Sequence, residues 1–396
     1  MKPIPYGKQS IKDDDIKAVI DVLRSDFLTQ GPQISHFENA FSKYVNSKFS
    51  IAVSNGTAAL HLCVLALGLK PGQKVITTPI TFVASANCIQ YCGGKVVFGD
   101  IDPETYLLNI NSVRSLLESS PKGTYAGIIP VDFSGRPVDM EAFRILADEF
   151  DLWIIEDACH APGGYFINSN NDISRCGSGQ YADLAIFSFH PVKHIACGEG
   201  GMITTRSESL KKKIENLRTH GMTKDPKKFI NSVELASSSE MPMSYPKWYM
   251  EMQDLGFNYR LSEIHAALGL SQLTRAEEGI NRRREIAKKY FLAFQDKPYI
   301  IGQSGLIEGH AYHLYVIEVD NRLGLYNFLR ENNIFSQVHY IPCHLMPYYQ
   351  NFGWKIGDLP FSEKYYKTCL TLPIFPDLSD EQVSFVFNKI QTFFDE

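Results

Sequence analysis

Between residues 51 and 205 the chain lays down seven short apolar runs, most of them separated by enough residues for a helix. Ile51-Ala52-Val53, Val75-Ile76-Thr77, Val96-Val97-Phe98, Gly127-Ile128-Ile129, Trp153-Ile154-Ile155 and Ala185-Ile186-Phe187 are close to continuously apolar, and Met202-Ile203-Thr204-Thr205 is a further strand. A strand wetted on one face alternates in polarity, whereas one that is apolar throughout has both faces covered. The rhythm predicts an α/β fold with a largely parallel, doubly wound, seven-stranded sheet. In such sheets ligands sit beyond the carboxyl ends of the strands. The residues that directly follow each run are therefore the first to read for chemistry.

Three of those junctions carry it. Ser54-Asn55-Gly56-Thr57-Ala58-Ala59-Leu60 follows the first run and opens a helix. Small residues there let free N–H groups and the Thr57 hydroxyl reach an anion, although an ordinary capped helix start has the same look. Ile154-Ile155-Glu156-Asp157-Ala158-Cys159-His160 places an acid pair at a strand's carboxyl end, where acids also serve as plain caps. Phe187-Ser188-Phe189-His190-Pro191-Val192-Lys193-His194 ends an apolar run in a lysine, just before Gly198-Glu199-Gly200-Gly201. A desolvated lysine amine loses its proton more readily and can add to an aldehyde. The plain alternative is a surface lysine in a loop. Gly177-Ser178-Gly179 lacks the preceding strand and the third glycine of a dinucleotide fingerprint, so a nicotinamide site is rejected.

Composition narrows the class. With 396 residues and 44% hydrophobic content, the chain can fill two to three domains with a sizeable core. A net charge of −5, spread along the chain, argues against nucleic acid or a polybasic membrane patch. No apolar run approaches membrane-spanning length and the start lacks a signal-peptide core, so a cytoplasmic protein acting on small molecules is expected. The eight cysteines form no CxxC pair, and buried free thiols are expected at Cys88 and Cys92 rather than a metal site. Cys159 beside His160 has nothing around it to supply an oxyanion site.

Elsewhere the chain reads more plainly. A helix through Asp14 to Leu23 stops before Phe27-Leu28-Thr29-Gln30-Gly31-Pro32. Phe82, after the second run, has the look of a core aromatic. Residues 222–253, rich in Lys, Ser, Pro, Met and Tyr, read as a long, partly mobile loop carrying Trp248 and Tyr249. Ser262 starts a helix after Leu255-Gly256-Phe257-Asn258-Tyr259-Arg260-Leu261. A helix from Arg275 to Phe294 leads into a smaller C-terminal α/β domain, with strands at 313–317 and 336–340, dividing the chain into 1–270 and 271–396.

Taken together, these segments resemble the DegT/DnrJ/EryC1/StrS family of sugar aminotransferases that use pyridoxal phosphate. Nearly the whole chain shares the likeness, with one departure: Ala196 stands where the family usually has Thr. The resemblance implies a fold-type-I pyridoxal-phosphate transferase, with Lys193 holding the cofactor and moving the proton, and Asp157 keeping the pyridine nitrogen protonated. It implies that Gly56, Thr57, Ala58 and Ser188 take the cofactor phosphate, that Phe82 lies on the ring face, and that His160 stands near the phenolic oxygen. It places Asn258 at the phosphate of a second copy, making a homodimer with shared active sites. Thr29, Gln30, Gly31, Arg260, His339 and Tyr340 become substrate residues. The implied reaction moves an amino group from L-glutamate to C4 of a UDP-linked 4-keto-6-deoxy-N-acetyl hexose of the pseudaminic-acid type. Other UDP-, GDP- or dTDP-linked keto sugars stay open. A sugar dehydratase of the same fold has histidine in place of the lysine, and a non-catalytic relative lacks the lysine or the aspartate; this chain has both Lys193 and Asp157.

Overall fold

Each apolar run forms a strand whose successive side chains enter two different buried layers. In this computed structural model, which describes residues 2–238 and 243–395, the strands are β1 (Phe49–Val53), β2 (Lys74–Thr77), β3 (Lys95–Phe98), β4 (Tyr125–Ile129), β5 (Trp153–Asp157), β6 (Leu184–Ser188) and β7 (Gly201–Thr205). Val75, Ile129 and Ile155 belong to one apolar cluster, and their neighbours Ile76, Ile128 and Ile154 to another. Side chains alternate across a strand. A run apolar at every position is therefore what a sheet covered on both faces requires.

The seven strands form one sheet in the order β1-β7-β6-β5-β4-β2-β3. Strands β3, β2, β4, β5 and β6 pair in parallel, and β7 runs antiparallel between β6 and β1. The link from β6 to β7 contains no crossover helix, so it returns the chain in the opposite direction. Its residues 189–200 stay at the carboxyl edge of β6. All eight cysteines are free, Cys88 buried and Cys92 half-buried.

The C-terminal portion is a three-stranded antiparallel sheet, β8 (Gly302–Gln303), β9 (Tyr315–Glu318) and β10 (Cys369–Leu372), with β9 in the middle. Helices Ala276–Phe294, Arg322–Glu331 and Asp380–Asp395 share its apolar cluster. The strand expected at 336–340 is not formed: Ile334–Phe335 is a two-residue strand, and only Gln337 makes a single bridge to Thr371. Ile4–Pro5 pairs in parallel with Ile334–Phe335, and Ile4 joins the C-terminal cluster. The N-terminus thus crosses the sequence division expected at residue 270.

Residues 222–253 carry more structure than an open loop. Met222–Thr223 pairs with Glu251–Met252, and the segment includes a short helix, Val233–Ser237. The Glu251 carboxylate accepts from the Ile230 and Asn231 N–H groups and from Tyr249 and Gln253. Phe229, Tyr245 and Tyr249 pack on one another. The Ser239-Glu240-Met241-Pro242 part of this expected loop lies outside the described residues.

Helix Asp13–Leu23 is fixed to helix Glu263–Leu273 by one acid. Asp15 is 0% exposed and accepts from Ser271 Oγ at 2.6 Å, Gln272 Nε2 at 2.7 Å and Arg275 Nη2 at 2.7 Å. Burial alone raises its carboxyl pKa, but these donors and the Lys12 N–H outweigh it and hold the value below the ordinary carboxylate range. A depressed acid contributes stability above its unfolded pKa and loses it as pH falls through the folded one. Asp15→Ala is expected to cost about 3 kcal/mol at neutral pH, because it strands buried donors. In thermal melts the gap from the parent should close as pH drops below about 4. A gap unchanged at pH 3 would show that the acid acts through shape and not charge.

Candidate active site

Strand ends deliver the site. Helix Gly56–Ala66 starts directly after β1; its cap, Asn55, accepts the Ala58 N–H at 2.8 Å through Oδ1. The first N–H groups of a helix have no partner within it and attract anions. Ser188, the last residue of β6, lies against this helix start: a Cβ on Gly56 would come 3.1 Å from Ser188 Cβ. A larger residue at position 56 would push the two elements apart. On the neighbouring strand, β7, a Cβ on Gly201 would meet the Asn55 backbone at 2.6 Å, so that glycine also allows the close approach.

Asp157 ends β5. Its Oδ2 accepts from Ser85 Oγ at 2.7 Å and its Oδ1 from the Cys159 N–H at 3.2 Å. Ser85 in turn shares a hydrogen bond with Thr81 at 2.8 Å. A turn that begins two residues beyond Ser188, closed by the Lys193 N–H on the His190 carbonyl at 2.8 Å, brings Lys193 into the same space. The residue as a whole is half-buried, but its amine lies in the interior. Burial pushes the amine below its ordinary pKa; Cys159 and Asp157 pull it back up, and Arg283 pushes it down again.

The surrounding histidines add no positive charge. His160, His194 and His313 are held well below their ordinary pKa, first by burial and then by nearby cations. His339 is pushed down to about 3 by burial and by Lys193. His160 Nδ1 accepts from the Ser134 N–H at 3.3 Å, its Nε2 faces Tyr340 Oη at 3.4 Å, and its ring lies 4.3 Å from that of His313. His339 Nδ1 is 2.9 Å from Thr371 Oγ1.

One cavity of about 880 Å3 is lined by Gly56, Thr57, Ala58, Phe82, Asp157, His160, Ser188, Lys193, His339 and Tyr340. Ten residues singled out in the sequence thus meet in one place. Phe82 is 60% exposed at the cavity, not in the core, and is free to stack on a planar ligand. Sequence reading missed Tyr6, Asn55, His61, Ser85, Tyr259 and His313, which line the same cavity. Ser85 had a signal: with Thr81 it forms a hydroxyl pair four residues apart beside Phe82. Tyr6 had none, because nothing local announces that the N-terminus folds back here.

The other five singled-out residues lie elsewhere. Thr29, Gln30, Gly31, Asn258 and Arg260 do not line the cavity of their own chain; they flank the start of helix Glu263–Leu273. Thr29 bridges to Ser262, Arg260 to Val53 and Asn258 to Thr219, and Thr29, Gln30 and Asn258 are exposed. A side chain on Gly31 would strike Phe27 at 2.6 Å and the Glu263 carboxylate at 2.7 Å.

The cavity suits pyridoxal phosphate. A helix N-terminus with two hydroxyls at one end can take a phosphate, a carboxylate fixed by two donors can face a ring nitrogen, an exposed aromatic can cover a ring, and an interior amine is at hand.

The comparisons agree with this chemistry. The family model described as the DegT/DnrJ/EryC1/StrS aminotransferase family matches residues 9–391. The spore coat polysaccharide biosynthesis protein SpsC of Bacillus subtilis is 38% identical, covering 98% of this chain and 96% of its own. Helicobacter pylori PseC, an aminotransferase involved in the biosynthesis of pseudoaminic acid, superposes with a TM-score of 0.87 at 28% identity over the full length of both chains. The proposed sugar aminotransferase Spr1654 of Streptococcus pneumoniae, solved in its PLP form, gives 0.85 at 26% identity, covering 99% of this chain and 98% of its own.

Borohydride reduction of the protein with pyridoxal phosphate should place a stable label on Lys193, located by peptide mapping. A label on another lysine would remove Lys193 from its role.

Proposed function

This chain belongs to the DegT/DnrJ/EryC1/StrS aminotransferase family, whose members are pyridoxal-phosphate-dependent sugar aminotransferases, and from that premise we propose that it transfers an amino group from L-glutamate to C4 of a UDP-linked 4-keto-6-deoxy-N-acetyl hexose for a pseudaminic-acid-type glycan. The observation that carries the reading is the convergence of Lys193, Asp157, Ser188 and the Gly56-Thr57-Ala58 helix start on one cavity. Likeness to PseC supports the choice of sugar, and likeness to SpsC supports a surface-polysaccharide pathway in a wider sense.

When bound, pyridoxal phosphate supplies an electron sink for a carbanion next to nitrogen. This chain's residues do the rest. Gly56, Thr57, Ala58 and Ser188 would hold the phosphate end and Phe82 would cover the ring. Asp157, fixed by Ser85 and the Cys159 N–H, would keep the ring nitrogen protonated. Lys193 would be the base that moves a proton from the amino acid carbon to the cofactor carbon in the first half-reaction, and from the cofactor carbon to C4 of the sugar in the second. The low-pKa amine suits this, because a base must be unprotonated before it can act.

The two-patch arrangement supports a homodimer in which Thr29, Gln30, Gly31, Asn258 and Arg260 serve the partner's cavity. On this reading, residues 1–270 form the cofactor-binding domain and 271–396 the smaller one, with the N-terminal strand Ile4–Pro5 lent to the smaller one. A cytoplasmic site of action is part of the same proposal; among the described residues no helix is long and apolar enough to cross a membrane.

Asp157→Asn should fold and bind pyridoxal phosphate yet lose a hundredfold or more of its transamination rate, of the order seen when one charge-stabilising group is removed, about 10²–10³. Turnover within a few-fold of the parent would reduce Asp157 to a structural acid. Shared sites can be tested by mixing. Lys193→Ala and Asn258→Asp proteins, each inactive alone, should regain about a quarter of the parent activity after subunit exchange, since half of the dimers are mixed and each holds one intact site. No recovery, with exchange verified, would place Asn258 in the service of its own chain.

A further inference from the structure

Directly behind Asp157, on the side of β5 away from the cavity, lies an acid pair the reaction does not use. Glu156 precedes Asp157 in the strand, so its side chain emerges from the opposite face. There it meets Asp132 and Cys176: Glu156 and Asp132 carboxylate oxygens and the Cys176 Sγ lie within 4.8 Å of one another, all three residues buried. Asp132 Oδ1 accepts the Val138 N–H at 2.8 Å and Glu156 Oε1 the Gly177 N–H at 2.7 Å. Asp132 Oδ2 is buried, and among the described residues no N–H or O–H donor reaches it, the weak S–H donor of Cys176 being the one group at hand. Among the described residues no lysine, arginine or histidine forms an ion pair with either acid. The other titratable groups facing the pair are Asp157 and the thiols of Cys176 and Cys159.

Two bare carboxylates this close, without a cation, would repel in a medium that screens little. A single proton resolves both problems, because a carboxylic acid at Glu156 can donate to the partnerless oxygen of Asp132. We infer that Glu156 and Asp132 form a one-proton acid pair that positions Asp157 and His160 from behind. The pair works through what each acid holds. Asp132 donates its N–H to the Asp157 carbonyl and accepts the Gly135 N–H, fixing the turn at 133–135. That turn presents the Ser134 N–H to His160, and it holds the C-terminal portion through Ser134 Oγ on the Leu314 carbonyl and the Ala311 N–H on the Gly135 carbonyl. A Cβ on Gly135 would lie 2.7 Å from the His160 carbonyl oxygen and 3.0 Å from the His313 nitrogen, so the turn is wedged between the two. Glu156 fixes the other flank through Gly177, which is held at φ +71° against the Phe187 ring. Burial is the first cause of the raised pKa of both acids, with Asp132 pushed up to about 7 and Glu156 held well above the ordinary carboxylate range. An acid that keeps its proton in the fold but loses it when unfolded makes stability fall as pH rises, about tenfold in the unfolding constant per pH unit.

Glu156→Gln replaces the acid by a neutral group that still donates. In thermal melts of the cofactor-loaded protein, this variant should gain on the parent as pH rises from 5 to 7, by about two degrees per unit. A protonated-carboxyl carbonyl band in the infrared spectrum of the parent should disappear in the variant. Glu156→Ala, which removes the donor, should release pyridoxal phosphate at least tenfold more readily than the parent, and Glu156→Gln should restore retention. A melting gap independent of pH, or no band lost, overturns the shared proton. Equal cofactor retention in the alanine variant overturns the positioning role, and if that variant does not fold, the glutamine melts and the band still decide. Zinc chloride that raises the melting point of the parent but not of Asp132→Asn would mean that the three groups hold a metal, which also overturns it.

Discussion

Everything at this site depends on keeping a lysine amine uncharged inside a protein. An ammonium ion in a poorly polarisable interior is costly, so burial drives the amine toward its neutral form, provided that nearby acids do not reverse the effect. Asp157 and Cys159 both act in that opposite direction. The fold limits them. Asp157 is occupied by Ser85 and the Cys159 N–H, and four neighbouring imidazoles are themselves too buried to take up protons. The carboxyl edge of the sheet gives these groups a common floor. β7, running the other way, brings Gly201 past the site, where a side chain could not fit against Asn55.

How much of this was legible in the sequence follows from the same geometry. β5 and β6 could be read because both faces are buried, and Asp157 and Lys193 because they follow those runs within a few residues. Elements stabilised at long range left no such mark. Ile4–Pro5 is a strand only because Ile334–Phe335 lies beside it, and two residues carry no periodicity. Residues 336–340 look like a strand, yet the backbone leaves the sheet after Gln337, so that His339 and Tyr340 enter the cavity. The 222–253 segment has the composition of an open loop, and its order comes from one carboxylate, Glu251, whose four donors lie as far as 21 residues away.

The second patch had to be read by resemblance. Thr29, Gln30 and Gly31 are held to the chain from outside the cavity: the Glu263 carboxylate accepts the Gln33 and Ile34 N–H groups at 2.8 and 3.1 Å, satisfying the first turn of helix Pro32–Val45. The helix has no capping side chain of its own, since Gly31 stands at its cap and leaves room for Glu263. An acid 230 residues away replaces the cap. This arrangement makes a loop rigid and exposed at once, which a surface that works by fitting against another molecule needs and a mere linker does not.

Arg283 shows how the C-terminal portion bears on the lysine without touching the chemistry. It is 1% exposed on helix Ala276–Phe294, and its Nη1 donates to the carbonyls of Tyr312, His313 and Ile374 at 3.2, 3.2 and 2.9 Å. Burial lowers its pKa to about 9, which still leaves it charged at neutral pH. A carboxylate partner would cancel that charge; carbonyl dipoles solvate it and leave its field in place. The field acts on Lys193, which Arg283 pushes toward the neutral form, and on His194 and His313, which it also keeps uncharged. Replacing those carbonyls by an acid would make the arginine easier to bury and the lysine harder to deprotonate. The choice of neutral acceptors is therefore a choice about the amine.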